Sequence, residues 1–471
     1  MKKNQARVDV QRPWLAMMSM MIGAFVGMLS ETSLNIALPQ LMGSFHINSG
    51  SVQWLVTGYM LVIGIILPFS SLLTKWFTTR QLVITGLIDF IIGAIVAAVA
   101  PNFTILLIGR MIQGLGTGLI LPLMFTVAML IFPPHKMGSA MGVCALVIML
   151  APAIGPTVTG IILGQLSWNW IFWMFVPFLV IALGFALKFL PNVGRITKPH
   201  IDVLSIIESI VGFAALVMGV SFASDYGWGA PMVLILLAIG IVVLILYAYR
   251  QLHIKEPVIN LKVFRKSAFA QGALCVMLDF AIILSAMYLL PQYLQRGLLI
   301  PVALTGIIML PGGIINAMVS AFAGRLFDSL GAKKPAITGF LIAIIGIVML
   351  IFSSPNSAIA YIIGAHIILM IGCPLAMSPA QTHALNALQG PESADGSTIL
   401  NTMQQIIGAV ATALATSFLS LGQSAYHGVN KAAQFTNGVH FGLYFTLVLA
   451  VLGLIIAFFL NPETSSQDFN K

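Results

Sequence analysis

WLAMMSMMIGAFVGMLSETSLNI, residues 14–36, is an apolar run whose single ionisable side chain is Glu31. A helix of about 20 apolar residues crosses the hydrocarbon layer of a membrane, and it satisfies its own backbone hydrogen bonds there. Thirteen more runs of this kind follow. The predicted spans, with approximate bounds, are 14–36, 50–72, 81–100, 104–131, 137–163, 168–190, 203–224, 230–249, 267–294, 301–324, 335–353, 357–388, 397–420 and 438–460.

The overall composition is that of a helical membrane protein. Of the 471 residues, 59% are hydrophobic and 7% are charged, and the mean hydropathy is +1.02. A soluble domain carries about 25% charged residues, so this balance excludes a water-soluble globular protein. A β-barrel would show shorter segments of alternating hydrophobicity. The net charge of +9 does not indicate nucleic-acid binding, because the basic residues lie in loops between apolar runs.

The basic residues predict which side of the membrane each loop faces. With the N-terminus inside, the cytoplasmic segments hold nineteen of the 22 Lys and Arg residues. The outer loops hold two, Arg296 and Lys431, and Arg110 falls inside a span. Because cytoplasmic loops are enriched in Lys and Arg, this distribution predicts a multi-pass protein of the cytoplasmic membrane with both termini in the cytoplasm.

An internal repeat divides the predicted helices. Helix 1 ends in ALPQL, which contains Pro39, and helix 9 ends in LLPQYL, which contains Pro291. From these prolines it is 32 residues to Ser71 and 33 residues to Gly324, at the loops after helices 2 and 10. Parallel repeats of this kind build one major class of transporters. The predicted segments are an N-terminal six-helix bundle (1–200), two inserted linker helices (201–250) and a C-terminal six-helix bundle (251–471).

Five motifs, in this order along the chain, resemble those of one transporter family. They are LSETSLNIALPQ (29–40), QWLVTGY (53–59), RMIQGLG (110–116), the GP pair with a following glycine (155–160) and GRLFDSLGAKK (324–334). Together they resemble the 14-helix drug:proton antiporters of the major facilitator superfamily, of the multidrug and quaternary-ammonium exporter type. The chain departs from the family pattern at Glu31, where Asp is usual. It also departs at Lys75 and Thr78, which replace an Asp and a Gly of the first-half loop motif.

The resemblance implies an all-α membrane protein with the major facilitator fold, in which 14 transmembrane helices form two six-helix bundles plus two inserted helices. It implies proton-coupled export of lipophilic, often cationic, drugs or toxic compounds by alternating access of the two bundles. Protons are the expected coupling ion, with no other cofactor and no metal. The expected partners are small drug-like molecules and the lipid bilayer, not nucleic acid, and the chain is expected to function as a monomer.

Ionisable side chains inside the spans are the candidate site residues. Glu31, Asp89, Arg110 and Asp279 lie at membrane depth, where each costs about 2.5–3.5 kcal/mol to insert and is therefore a candidate for a function. For Asp89, in helix 3, a role in helix packing is favoured. Glu31 and Arg110 fall at similar depth on helices 1 and 4. We predict that Glu31 carries the coupling proton and, when ionised, binds cationic cargo. Arg110 is predicted to tune the proton affinity of Glu31, and Asn35, on the same helix face, to contact cargo. The alternative is a structural Glu–Arg pair that locks two helices.

Asp279 is the third ionisable candidate with a predicted role in transport. It lies in helix 9, twelve residues before Pro291, whereas Glu31 lies eight residues before Pro39. This spacing puts Asp279 one turn from the position equivalent to Glu31. It is predicted either as a second proton or cation site that also contacts cargo, or as a structural acid paired elsewhere.

Two glycine-containing motifs, one in a cytoplasmic loop and one in helix 5, are predicted to control the change of conformation. Gly324 and Gly331 are expected to let backbones approach and turn in a cytoplasmic loop, where Asp328 caps a neighbouring helix or pairs with basic residues. Gly155 and Pro156 are expected to bend helix 5 and to allow tight helix contact.

Other functions remain open from the residues alone. A dedicated metabolite or peptide exporter or importer with the same fold would share these features. A membrane-embedded enzyme would need clustered His, Asp or Glu with metal or nucleophile spacing, which the sequence lacks, so no catalytic residue is predicted. The sequence also has no nucleotide-binding Gly-Lys-Ser/Thr loop, which disfavours ATP as the energy source.

Overall fold

The computed structural model describes residues 12–132, 134–193, 196, 202–254, 257–388 and 391–460. Within this part of the chain, fourteen helices are long and apolar enough to cross a membrane, so the predicted number of spans is confirmed. Their bounds are α1 Pro13–Phe45, α2 Ser49–Trp76, α3 Thr79–Ala98, α4 Phe103–Ile131, α5 Pro134–Gln165, α6 Asn169–Phe189, α7 Val203–Tyr226, α8 Pro231–His253, α9 Ser267–Gln292, α10 Val302–Leu330, α11 Lys333–Ile351, α12 Ile359–Asn386, α13 Pro391–Ser424 and α14 Lys431–Phe459. A 3₁₀ helix, Leu261–Arg265, precedes α9, and a π-helical turn, Tyr293–Gly297, follows it.

Polar residues in the short turns begin several of the helices. The Asn48 side chain accepts a hydrogen bond from the Ser51 backbone N–H at 2.7 Å, at the start of α2. Thr78 and Gln81 cap the start of α3 reciprocally, and Asn102 caps α4. Such caps satisfy backbone N–H groups that have no partner in the first turn of a helix. Successive spans can therefore follow one another after turns of only a few residues.

The contacts among the first six helices recur among the last six. Each contact in the first half has a counterpart between the helices whose numbers are higher by eight. In the first half, α1 packs against α4, α5 and α6, while α3 packs against α4 and α6, and α2 packs against α4. In the second half, α9 packs against α12, α13 and α14, while α11 packs against α12 and α14, and α10 packs against α12. The chain therefore holds two six-helix units of the same architecture, α1–α6 and α9–α14, and α7 and α8 lie outside this correspondence.

Equivalent glycine contacts occur in the two units. They show which residue of α4 corresponds to which residue of α12. Gly116 of α4 meets the backbone of Gly86 in α3, and Gly372 of α12 meets the backbone of Gly339 in α11. A Cβ added at Gly372 would lie 2.6 Å from the Gly339 carbonyl oxygen, so a larger residue would force the helices apart. Small residues are what let membrane helices approach this closely. Position 116 of the first unit therefore corresponds to position 372 of the second.

The inserted pair α7–α8 lies against the seam between the two units. Helix α7 packs against α2 of the first unit and α13 of the second, and α8 packs against α7. Asp202, just before α7, receives hydrogen bonds from Arg250 of α8 at 2.8 and 2.9 Å. These hydrogen bonds hold the pKa of Asp202 at about 2, below its usual value, so the pair stays ionised. The two inserted helices are thereby joined at their predicted cytoplasmic ends.

Helix α10 is longer than predicted. It runs to Leu330, so Gly324 and Asp328 belong to the helix and not to a loop. Only Gly331 turns the chain, with a φ of 69° and its N–H bonded to the Phe327 carbonyl. The expectation that Gly324 turns the backbone is therefore wrong, because the helix continues beyond the apolar span that ends at position 323. The surroundings of Gly324 and the side chain of Asp328 lie outside the described part of the structure, and the role of Asp328 stays a prediction.

Helix α5 is one continuous helix that contains Pro152 and Pro156. A Cβ added at Gly155 would lie 2.5 Å from Thr32 Oγ1 of α1, so the absence of a side chain at this position lets α1 and α5 approach closely. The predicted bend at Pro156 stays a prediction. The contact places α5 directly behind the stretch of α1 that carries Glu31.

Candidate functional site

Arg110 is fully buried in α4 and ties together three helices of the N-terminal unit. Its Nε donates to the Leu55 carbonyl oxygen of α2 at 3.1 Å, and its Nη1 donates to Ser30 Oγ of α1 at 2.5 Å and to Gln113 Oε1 at 2.8 Å. The guanidinium carbon lies 3.9 Å from the centre of the Tyr59 ring. Among the described residues, Nη2 has no hydrogen-bond partner. These contacts therefore hold the guanidinium in place, and its Nη2 group has no acceptor among the described residues.

Tyr59 extends this network toward α1. Its hydroxyl donates to the Gly27 carbonyl oxygen at 2.9 Å and lies 2.8 Å from the Thr117 hydroxyl. A cation over an aromatic face contributes about 2 kcal/mol when the site is desolvated. Tyr59 thus holds Arg110 through its ring and α1 through its hydroxyl.

Glu31 follows Ser30 on α1 and is 3% exposed. Its Oε2 has no hydrogen-bond partner within the described part of the chain. No ion pair of 4 Å or less joins Glu31 to Arg110 among the described residues, although the two side chains are close enough to interact electrostatically. From the C-terminal unit, the Gln405 side chain of α13 faces the same carboxyl group. The structure therefore brings Glu31 and Arg110 together and adds an amide from the opposite unit.

Buried amide side chains lie on the helices that meet between the two units, namely α1 with α9 and α2 with α13. Each is nearly or fully buried, and each has at least one polar atom without a partner among the described residues. The set is Asn35, Gln53, Gln292, Gln404 and Gln405. An unpartnered buried polar group costs about 1–3 kcal/mol, so water or a bound molecule is expected to satisfy these amides.

Sequence reasoning found one member of this set and missed four. Asn35 was predicted because it lies one turn after Glu31. Gln53 lies in the QWLVTGY motif and Gln292 in the repeat, but neither pattern predicts a contact with cargo. The consecutive pair Gln404 and Gln405 inside an apolar span was a further signal, since two adjacent amides at membrane depth need partners.

Asp279 lies apart from Glu31, Arg110 and the buried amides, inside the C-terminal unit. It is fully buried in α9 and faces Cys373 of α12. Neither Glu31 nor Arg110 is among the groups that interact with it. The structure therefore does not bring Asp279 together with Glu31 and Asn35, and its contact with cargo stays a prediction.

The two units are joined at the end of the molecule that the charge distribution places outside. Gln295 Nε2 donates to the Ile36 carbonyl oxygen at 2.9 Å, and Arg296 Nη2 donates to the Pro39 carbonyl oxygen at 2.8 Å. Both donors belong to the π-helical turn after α9, and both acceptors belong to α1. We call these two contacts the outer latch.

Helices α5 and α10 also touch in this outer half. Thr157 Oγ1 of α5 donates to the Gly306 carbonyl oxygen of α10 at 2.9 Å. The two units are therefore in contact at two places in the outer half of the molecule, the outer latch and the α5–α10 pair.

A comparison with known protein families decides the class of the chain. The family model of the Major Facilitator Superfamily matches residues 20–412. The chain belongs to this superfamily. Superfamily members are membrane transporters and in general not enzymes. Among the described residues, no group of three or more His, Cys, Asp or Glu side chains could hold a metal ion.

Similar members of the superfamily carry names that refer to drug resistance. The lincomycin resistance protein LmrB of Bacillus subtilis is 47% identical over 457 residues, which cover 94% of this chain and 95% of that protein. The lincomycin resistance protein LmrB of Listeria monocytogenes is 45% identical over 457 residues, which cover 96% of this chain and 97% of that protein. The resemblance to drug exporters of this superfamily, drawn from five motifs, is therefore confirmed.

A solved superfamily structure confirms the fold. The crystal structure of the peptide transporter POT in complex with sulfate matches with a TM-score of 0.70 and covers 95% of this chain and 96% of that chain. Its sequence is 16% identical, so the likeness shows the fold alone. The predicted fold class, a multi-pass helical protein with the major facilitator fold, is confirmed.

Proposed function

We propose that this transporter is a proton-driven antiporter that exports drug-like small molecules, lincomycin among them, across the cytoplasmic membrane. The observation that carries the proposal is Glu31, a carboxyl group buried at membrane depth between the two units, beside a guanidinium that other groups already hold. Ionisable groups at this depth are rare and usually serve transport. The chain acts as a monomer with both termini in the cytoplasm, and protons are its coupling ion.

Glu31 alternates between two partners as its proton comes and goes. When protonated, the neutral carboxyl group shares a hydrogen bond with the Gln405 amide of the C-terminal unit. When it loses the proton, the carboxylate is drawn to the free Nη2 of Arg110 within its own unit, because a buried charge without a counter-ion is very costly. Loss of the proton therefore exchanges a contact between the units for a contact inside one unit. This exchange is how protonation biases the rocking of the two units.

Cargo enters this site from the cytoplasm while the outer latch is closed. The ionised Glu31 attracts the positive group of a cationic molecule, and the unpartnered amides offer hydrogen bonds to its polar groups. A proton arriving from outside neutralises Glu31 and removes that attraction. Proton and cargo thus compete for the same carboxyl group, which is the physical basis of the antiport. The amides favour cargo that combines apolar surface with several hydrogen-bonding groups.

Transport by purified protein in lipid vesicles tests the proposal. We expect lincomycin to accumulate when an imposed pH gradient drives protons in the opposite direction, and a protonophore to abolish the accumulation. Ethidium and a fluoroquinolone test how broad the cargo range is. Lincomycin transport that ignored the pH gradient would show that the coupling ion is not the proton. Failure to move any of these compounds would show that the cargo is not drug-like.

Removing the outer latch is expected to favour the outward-open state. The double substitution Gln295→Ala with Arg296→Ala removes one neutral and one charged hydrogen bond, together about 3 kcal/mol, which is roughly 100-fold in the equilibrium between states. Spin labels at Ser44 and Asn356, exposed at the outer ends of the two units, report the distance by electron–electron double resonance. A longer distance is expected in the variant. Lys431→Ala, which removes another outer charge, is the control, and an unchanged distance in the double variant contradicts the latch.

A further inference from the structure

A second buried carboxyl group lies inside the C-terminal unit. Asp279 of α9 is 0% exposed, and neither of its oxygens has a hydrogen-bond partner among the described residues. The titratable groups that interact with it are two thiols, Cys275 one turn earlier on α9 and Cys373 of α12. Glu31 has a guanidinium nearby, whereas no charged group interacts with Asp279 in the described part of the chain.

The repeat identifies the position in the N-terminal unit that corresponds to Asp279. Pro39 of α1 and Pro291 of α9 occupy equivalent positions near the ends of their helices. Asp279 lies twelve residues before Pro291, and Gly27 lies twelve residues before Pro39. A carboxyl group in the second unit therefore replaces a glycine in the first.

The glycine contacts give an independent alignment that agrees with this one. They align position 116 with 372, so Cys373 corresponds to Thr117. In the first unit, a Cβ at Gly27 would meet the Thr117 side chain at 2.8 Å. In the second unit, Asp279 faces Cys373. The same place between equivalent helices thus holds a satisfied hydroxyl network in one unit and an unpartnered acid in the other.

The same alignment shows why Asp279 lacks a counter-ion. Arg110 lies six residues before Gly116, and His366 lies six residues before Gly372. His366 is 4% exposed and its Nδ1 has no partner among the described residues, but it is not among the groups that interact with Asp279. The C-terminal unit therefore has no permanent cation where the N-terminal unit has one.

We propose that Asp279 carries a second proton in each transport cycle, so that at least two protons enter the cell for each molecule exported. This inference rests on the proposed function, because it adds a proton to the exchange that Glu31 drives. The proton binds to the carboxylate from the outer solution and leaves to the cytoplasm when cargo binds. The structure, in which the outer latch is closed and Asp279 is buried, corresponds to the state before that release.

The surroundings of Asp279 keep it neutral in this state. Helices α12, α13, α14 and α1, the 3₁₀ helix Leu261–Arg265 and the π-helical turn Tyr293–Gly297 pack against α9. The basic groups of these elements are not among the groups that interact with Asp279, and they are Lys262, Arg265, Arg296, His366, His383, Lys431 and His440. Among the described residues of these elements, Cys373 is the group that interacts with Asp279, and neither Glu31 of α1 nor the acids at the start of α13, Glu392 and Asp395, does so. An ionised carboxylate without a cation is strongly disfavoured in such a site, so the group holds a proton.

Asp279 is connected to the cargo site through the next residue of α9. A Cβ at Gly408 of α13 would meet the Phe280 ring at 3.0 Å, and Gly408 lies one turn after Gln405. A cargo molecule that moves α13 against α9 therefore disturbs the packing directly beside Asp279. This contact gives cargo a route to release the second proton.

The number of protons is measured from lincomycin accumulation in vesicles at several imposed pH gradients. Each proton exchanged multiplies the equilibrium concentration ratio about tenfold per pH unit. We expect the ratio in Asp279→Asn to fall about tenfold per pH unit below that of the wild type. Asp279→Glu is expected to keep the wild-type dependence, and Cys373→Ser is the control that alters the neighbour and keeps the acid.

The two proposals fail in different ways in this experiment. Equal dependence on the pH gradient in the wild type and Asp279→Asn would overturn the second proton and leave the proposed function intact. Wild-type accumulation with no dependence on the gradient would overturn the proposed function itself.

Infrared spectroscopy tests Asp279 without any transport. In Glu31→Gln protein at neutral pH, we expect an absorption band of a protonated carboxyl group that is lost when Asp279→Asn is added. If the Asn variant does not fold, Asp279→Glu in the same background is expected to shift the band. A spectrum that changes with neither substitution would show that Asp279 is ionised, and the second proton would be excluded.

Discussion

Glu31→Gln is expected to abolish export driven by the pH gradient while leaving the protein folded. The amide has nearly the shape of the protonated carboxyl group and can still face Gln405, but it cannot ionise or pair with Arg110. The substitution also removes a negative charge. This loss weakens the binding of a cationic cargo by about 3 kcal/mol, which is roughly 100-fold in affinity. Because the wild-type carboxyl group makes no close ion pair in this state, the free energy of unfolding is expected to change by less than about 1 kcal/mol.

Vesicle transport and equilibrium binding of lincomycin measure these two effects of Glu31→Gln separately. Asp89→Asn is the matched control, because it makes the same acid-to-amide change at a half-buried site in α3. We expect this control to keep gradient-driven export. Full gradient-driven export by Glu31→Gln would remove the proton carrier from the mechanism, and equal losses in both variants would indicate a general effect of lost charge.

The number and order of the helices were predictable, but their ends were not. Each span must satisfy its backbone inside the lipid, so long apolar runs predict helices reliably. The predicted spans 301–324 and 397–420 are parts of longer helices, Val302–Leu330 and Pro391–Ser424. The extra turns carry polar residues, which hydropathy assigns to loops. A helix continues into water as easily as a loop does once its side chains are polar.

The charged residues of the site were predictable, whereas their partners were not. Glu31 and Arg110 were found because charge at membrane depth is costly. Gln405 comes from α13, and no spacing along the chain shows that α13 lies opposite Glu31. Asp279 shows the same limit, because four residues along a helix also rotate a side chain by about 40° around its axis. In the structure Asp279 faces α12 and not the seam that Glu31 faces.

Arg110→Lys is expected to destabilise the N-terminal unit and to reduce transport at least as strongly as Glu31→Gln does. Lysine keeps the positive charge but cannot donate at once to the Leu55 carbonyl of α2 and to Ser30 of α1, because it lacks the planar fork of the guanidinium. Two charged hydrogen bonds contribute about 1.5–3 kcal/mol each, so we expect a loss of roughly 3–6 kcal/mol. The partners left without a donor are buried and gain no water.

Thermal unfolding in detergent, followed for single and double variants of Glu31 and Arg110, distinguishes an anchor from a structural ion pair. If the two side chains formed a tight pair, removing either would cost about 3–5 kcal/mol, and the two losses would not add. The structure predicts the opposite pattern, since Arg110 is held by Ser30, Leu55 and Gln113 while Glu31 is free to change partners. Arg110→Lys should therefore lower stability strongly and Glu31→Gln hardly at all, with nearly additive effects in the double variant. Equal and non-additive losses would mean that Glu31 is locked to Arg110, and a locked carboxyl group cannot exchange a proton for cargo.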